Sequence, residues 1–183
     1  MDANEKYFGY GSTISFIIFT RNDNQLYSVI DTKMSTNYLK SVSLSQSKTD
    51  LDKVSLSYSK IKRIIIFNLI TEEIENIYAF SHEIIYQQYN TNNHLAVLLD
   101  NNHLYKISNL LQDDLSEQNE SGDDVNNNIL KGVKRINTNG KVMHFQWYPF
   151  CNTNENLLGY VNNEKEVYLL NLNNKNQKYE SKL

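Results

Sequence analysis

Short apolar runs, each broken by a polar turn and followed by a second run, recur along this chain at a spacing close to 40 residues. The clearest are ISFIIFT-RNDN-QLYSVID (14–31), HLAVLL-DNN-HLYKIS (94–108) and NLLGYV-NNEK-EVYLLNL (156–172). Each reads as a β-hairpin, because Asn and Asp tolerate the left-handed backbone that tight turns require. The second run opens with Gln25-Leu26-Tyr27, His103-Leu104-Tyr105 or Glu166-Val167-Tyr168, and a fourth equivalent starts at Arg63. These marks lie 38, 40 and 63 residues apart, and removing the 23 residues 109–131 reduces the last spacing to 40. A fixed period of this length suits a repeated four-stranded sheet.

The alternative of a helical chain has little support. The best candidate, Leu69 to Ile85, is interrupted by Asn76, Ser81 and His82 and is rich in β-branched residues. Tyr, Ile, Val and Phe dominate the apolar stretches, which favours strands. The segment Phe8-Gly9-Tyr10-Gly11-Ser12 lacks the third glycine and the Lys-Ser/Thr ending of a phosphate loop, and it reads as a turn into the first strand. No innermost strand is evident before Ile14, and the polar stretch NNKNQKYESKL (173–183) does not read as a closing strand.

The segment Val142-Met143-His144-Phe145-Gln146-Trp147-Tyr148-Pro149, followed by Leu157-Leu158-Gly159 and by EKEVYLLNL (164–172), resembles a blade of the WD40-like β-propellers. Val142, Phe145, Trp147 and Pro149 match that family's innermost strand, and Leu170-Asn171-Leu172 and Phe67-Asn68-Leu69 sit where its third strand ends. Ile84 to Thr91 is a weaker copy of the inner strand. The Trp-Asp dipeptide, the Gly-His pair and the buried Asp-His-Ser network of the family have no counterpart in this sequence. The resemblance implies an all-β fold, an incomplete propeller of about four blades of four strands spanning 1–183. It also implies scaffold work of the kind found in nucleoporins, vesicle-tethering subunits and RNA polymerase I or III initiation factors. An incomplete ring leaves unpaired edges and an uncovered apolar face at each end, which predicts a requirement for partners.

Charge is unevenly placed. Residues 107–130 hold six acidic residues and no basic one, so the net charge of −3 separates into −6 there and +3 elsewhere. The run LLQDDLSEQNESGDDVNNN (110–128) predicts an acidic, disordered insertion, 109–131. The lone Cys151 and the absence of a signal-like apolar run predict an intracellular protein, in nucleus or cytoplasm, without membrane insertion. Frequent asparagine and the excess of lysine over arginine suggest a eukaryotic source with an AT-rich coding background.

No catalytic signature is present: neither a Gly-x-Ser-x-Gly elbow, a His-Glu-x-x-His helix nor a Cys-x-x-Cys pair occurs. His144 and Cys151 lack a second pair at zinc-like spacing, so no metal and no cofactor is expected. Trp147 is expected in the core. The sequence therefore predicts a non-catalytic scaffold whose partners are other protein subunits, completing the propeller by strand or blade addition. The second reading is a subunit of a nuclear transcription initiation factor with weak nucleic-acid contact. Its contact residues, for nucleic acid or an acidic partner, would be Lys60, Lys62, Arg63, Lys131, Lys134, Arg135 and Lys141.

Overall fold

The computed structural model describes residues 2–11, 15–31, 38–47, 49–108, 132–148, 156–173 and 180–182. Their regular structure is four sheets, each of four strands. The first sheet holds β1 (Asp2–Ala3), β2 (Tyr7–Gly11), β3 (Ser15–Thr20) and β4 (Leu26–Asp31). The second holds β5 (Leu39–Leu44), β6 (Lys53–Tyr58), β7 (Ile61–Asn68) and β8 (Glu73–Ala79). In the third are β9 (Ile84–Tyr89), β10 (Leu95–Leu99), β11 (Leu104–Ile107) and β12 (Val133–Ile136), and in the fourth β13 (Val142–Trp147), β14 (Leu157–Asn162), β15 (Val167–Asn171) and β16 (Glu180–Lys182). Strands pair antiparallel with their sequence neighbours, so each sheet is a meander.

The sheets stack face to face, and alternation along each strand decides which neighbour a side chain meets. Tyr7, Phe16 and Ile18 of the first sheet pack on Leu44, Val54, Leu56 and Ile65 of the second. Ile64, Ile66 and Tyr78, on the other face of the second, pack on Ile84, Leu95, Val97 and Leu99 of the third. Ala96, Leu98, Leu104 and Ile136 meet Val142, Phe145, Trp147, Leu158 and Tyr160 of the fourth. Strand β10 is buried on both faces, which explains its uninterrupted apolar run LAVLL. Among the described residues, no such cluster joins the fourth sheet back to the first.

Three sequence expectations need correction. Gln25-Leu26-Tyr27 opens the fourth strand of its sheet, whereas the other three marks fall at third strands. Third strands begin at Ser15, Ile61, Leu104 and Val167, which are 46, 43 and 63 residues apart. Every hairpin of a meander shows the same alternation and the same polar turn, so one hairpin substitutes for another in a sequence comparison. Secondly, β1 and β2 precede Ile14 and β16 closes the fourth sheet, although none carries a strong strand signal. Thirdly, Gly9 and Gly11 lie within β2 and are not in a turn. A Cβ on Gly9 would stand 2.6 Å from the Phe16 ring and one on Gly11 2.5 Å from Leu39, so both glycines make room for core side chains.

Asparagine holds the turns in two ways. Asn24, Asn93 and Asn102 have φ of 55°, 60° and 63°, the left-handed conformation expected of Asn; in the NNEK turn it is Lys165 that takes it, at 64°. Asn4, Asn90 and Asn162 instead turn their side-chain oxygens onto backbone N–H groups two to four residues ahead.

Candidate functional site

The innermost strands β1, β5, β9 and β13 run side by side, joined by a repeated polar contact. Asp2 Oδ2 accepts the Leu44 N–H at 2.7 Å, Ser43 Oγ accepts the Tyr89 N–H at 3.0 Å, and Gln88 Oε1 accepts the Trp147 N–H at 3.1 Å. Each acceptor is the second-last residue of its strand and each donor the last residue of the next. Burial raises the Asp2 carboxyl above its ordinary range, against the lowering effect of its bonds from Leu44 and Ala3. Gln146 occupies the acceptor position in the fourth sheet, and it is exposed.

A second set of contacts ties the turns between first and second strands. Asn4 Nδ2 donates to the carbonyls of Ser45 and Leu51 at 2.8 and 3.0 Å. Asn90 Nδ2, Asn92 Nδ2 and His94 Nδ1 converge on Asn156 Oδ1 at 2.8, 3.0 and 3.0 Å. Asn90 and Asn156 are buried, Asn92 and His94 half-buried. Sequence reasoning missed this cluster because its members are 62 to 66 residues apart.

The basic residues fall mostly at one rim. There, the segments that connect one sheet to the next bond to the second-to-third-strand turns or to the start of the third strand: Phe80 N–H to Lys62 O, Asp100 N–H to Glu83 O, Val142 N–H to Asn102 O and Asn163 N–H to Lys141 O. Lys60, Lys62, Arg63 and Lys141 are exposed at this rim. Arg135 stands near the end of β12, close enough to His103 to add to the effect of burial in lowering that imidazole's pKa. Lys134 is paired across the strands with Lys106 instead. None of these six forms an ion pair with a described residue. Lys131 and the rest of 109–131, like Pro149 and Cys151, lie outside the described residues.

A cleft between the second and third sheets, lined by Lys53, Glu75, Tyr78, Tyr89 and Asn93, has about 20 Å³ of free volume, room for a water molecule. Lys53 bridges Asp50 at 2.7 Å and Glu75 at 3.1 Å there. Burial opposes its charge, but the two carboxylates outweigh it and raise its pKa. His144 leans on the Tyr86 ring, with centroids 5.4 Å apart. Among the described residues, no three metal-ligating side chains cluster and no helix is long and apolar enough to cross a membrane. Trp147 is buried, as expected.

Apolar side chains also lie on the outer faces of the terminal sheets. On the first sheet Phe8 and Tyr10 stack with Phe19, at 5.2 and 6.0 Å between centroids, beside Ile17, Leu26 and Val29. Tyr10, Leu26 and Val29 remain 44%, 58% and 50% exposed. On the fourth sheet the outer face carries Leu157, Gly159, Val161, Val167 and Leu169, opposite to the buried Leu158, Tyr160 and Leu170.

Four-stranded meanders stacked through their faces, with innermost strands adjacent, match solved propellers. A chain of the mitotic checkpoint complex superposes with a TM-score of 0.65 at 11% identity, over 98% of this chain and 48% of that one. The fold is a WD40-like β-propeller. The WD40 domain of SCAP from fission yeast gives 0.59 at 12% identity, over 100% of this chain and 42% of the other. The dihydro-heme d1 dehydrogenase NirN in complex with DHE gives 0.63 at 8% identity, over 97% of this chain and 35% of the other. This chain thus spans about half the length, or less, of the chains it matches, and among the described residues no apolar cluster closes its four blades into a ring. No protein-family model and no curated protein matches its sequence.

Proposed function

We propose that this WD40-like segment is a non-catalytic scaffold for protein assembly within an intracellular eukaryotic complex. The observation that carries the reading is the pair of uncovered blade faces. Tyr10, Leu26 and Val29 are large apolar side chains left half exposed, and burying such a side chain fully contributes about 1.5–3 kcal/mol. The similar propellers include a chain of a multi-protein checkpoint assembly, which supports the reading by analogy. Affinity capture from native extract, comparing the natural chain with a Tyr10→Ser, Val29→Ser variant, tests it. Defined subunits in constant ratio, lost with the variant, are expected; a chain that captures nothing above background overturns the reading.

A second reading, a nuclear transcription initiation factor subunit with weak nucleic-acid contact, is favoured by the rim bearing Lys60, Lys62, Arg63 and Lys141. Contacts of this kind are electrostatic and weaken steeply with salt. Retention on immobilised nucleic acid at low salt, eluting as salt rises, supports it, and no retention at low salt removes it.

A further inference from the structure

We infer that the outer edge of the second blade, strand β8, binds an extended segment of another protein by strand addition, the segment alternating apolar residues and carrying basic residues beside Glu72 and Glu73. Strand β8 ends the order β5-β6-β7-β8, so β7 bonds to one of its edges and, among the described residues, no strand pairs with the other. With seven residues, five of them exposed, it is the longest of the four outermost strands. A free edge of this kind is a template for a further strand. This adds a second docking surface to the scaffold reading, apart from the blade faces on which that reading rests. Blades stacked before the first or after the fourth would cover those faces and leave the rim of the second blade open.

One side of this edge is apolar and unusually open. Ile74 pairs across the strands with Phe67 and Ile77 with Ile65, and both partners pack toward the first sheet. Yet Ile74 and Ile77 are 54% and 49% exposed, and Ile70, in the turn before them, is 61% exposed. Asn68 Oδ1 accepts the Ile70 and Thr71 N–H groups at 2.9 and 3.2 Å, which fixes that turn. The Tyr27 hydroxyl donates to the Leu69 carbonyl at 3.4 Å and brings the outer strand of the first blade to the same end. Edges that resist partners carry lysine or proline. Strand β12 has Lys134 and Arg135, whereas β8 has neither lysine, arginine nor proline. Glu75 is the extra residue of a bulge and is engaged by Lys53 and Asn68, so the regular edge runs from Asn76 to Ala79, with Ile74 beyond it.

Charge orients the added segment. Glu72 and Glu73 are exposed at the start of β8 and form no ion pair with a described residue. At the other end Arg63 stands across from Ala79, next to Lys62. Basic residues are therefore attracted beside Glu72 and Glu73 and repelled beside Ala79. In strand addition the backbone bonds supply affinity and alternate side chains supply selectivity. Here the selective side chains are apolar ones that lie against Ile74 and Ile77.

Two fluorescein-labelled peptides probe the edge, Thr-Val-Thr-Val-Thr-Val with Lys-Lys before or after it, titrated with the full chain and read by fluorescence anisotropy. Saturable binding of at least one is expected, with slowed hydrogen exchange at the Asn76 to Ala79 amides. Ile77→Lys puts a charge on the exposed edge and should weaken binding about tenfold. Ile74→Lys replaces it if circular dichroism shows an altered fold. Glu72→Lys with Glu73→Lys should weaken the lysine peptide and favour one with Glu-Glu in place of Lys-Lys. No binding of either lysine peptide at about 1 mM overturns the inference. So does equal binding of a peptide of the same composition with its valines clustered, or binding that none of the substitutions changes. Self-association of the chain that Ile77→Lys abolishes assigns the edge to a second copy instead. Each of these failures leaves capture through Tyr10 and Val29, and so the scaffold reading, intact.

Discussion

Trp147 is fastened twice to one residue of the neighbouring blade: its indole Nε1–H donates to the Gln88 carbonyl at 2.8 Å and its backbone N–H to Gln88 Oε1 at 3.1 Å. The ring also lies in the core between the third and fourth sheets. Trp147→Phe keeps most of the apolar contact but leaves the Gln88 carbonyl without its donor, and is expected to lose about 1–3 kcal/mol. Trp147→Ala also opens a cavity and should lose about 3–5 kcal/mol. Urea denaturation followed by circular dichroism separates the two; equal losses would place the value of Trp147 elsewhere.

Ser43→Ala strands the Tyr89 N–H inside the second junction, where Tyr89 is buried. The expected loss is about 1–3 kcal/mol for the unsatisfied donor. A loss below about 0.5 kcal/mol for Ser43→Ala would show that water reaches the site.

Asn156→Ala leaves Asn90, Asn92 and His94 without the oxygen on which all three converge. A destabilisation of about 2 kcal/mol is expected, from one buried and two half-buried groups at once. Hydrogen exchange should show the loss first at the His94 and Asn92 amides, which belong to the turn that Asn90 caps.

Acidity should act through Asp2. Burial raises its carboxyl in the folded chain above the ordinary 3.8, so between the two values the folded state holds the proton more firmly than the unfolded state. Stability from this group is therefore present at low pH and declines as pH rises through that window. Asp2→Asn should flatten this decline in denaturation midpoints measured from pH 4 to pH 7, while keeping an acceptor for the Leu44 N–H. A decline of the same slope in the variant would assign it to other groups.

Replacing Lys60, Lys62 and Arg63 by glutamine should leave stability within about 0.5 kcal/mol, because all three are exposed and carry no ion pair among the described residues. The same substitutions should lower the salt concentration at which the chain elutes from immobilised nucleic acid. Unchanged elution would remove these residues from any such contact.

Much of the fold is legible in local pattern. The hairpins at 14–31, 94–108 and 156–172 and the inner strand ending at Trp147 follow from alternation and turn chemistry, which act between near neighbours. Strand β1 has two residues and β2 contains two glycines, so neither produces a pattern; their positions are set by Phe16, Leu39 and Leu44 across the sheet and the junction. The false mark at Gln25 has the same origin, since a meander repeats the hairpin signal within a blade as well as between blades. The series from Asp2 to Trp147 was not readable at all. Its members share no residue type, and only the stacking of β1, β5, β9 and β13 brings each acceptor to its donor.

The Ser108 N–H meets the Gly132 carbonyl at 2.9 Å, so the chain leaves β11 and rejoins β12 through two residues already held together. Whatever length lies between them, the sheet receives the same two ends. Extending a loop whose ends are fixed costs only about 0.6 kcal/mol per doubling. This hairpin is thus a place where the gene can gain or lose sequence freely, and where a fluorescent or affinity tag can be spliced in with the architecture unchanged.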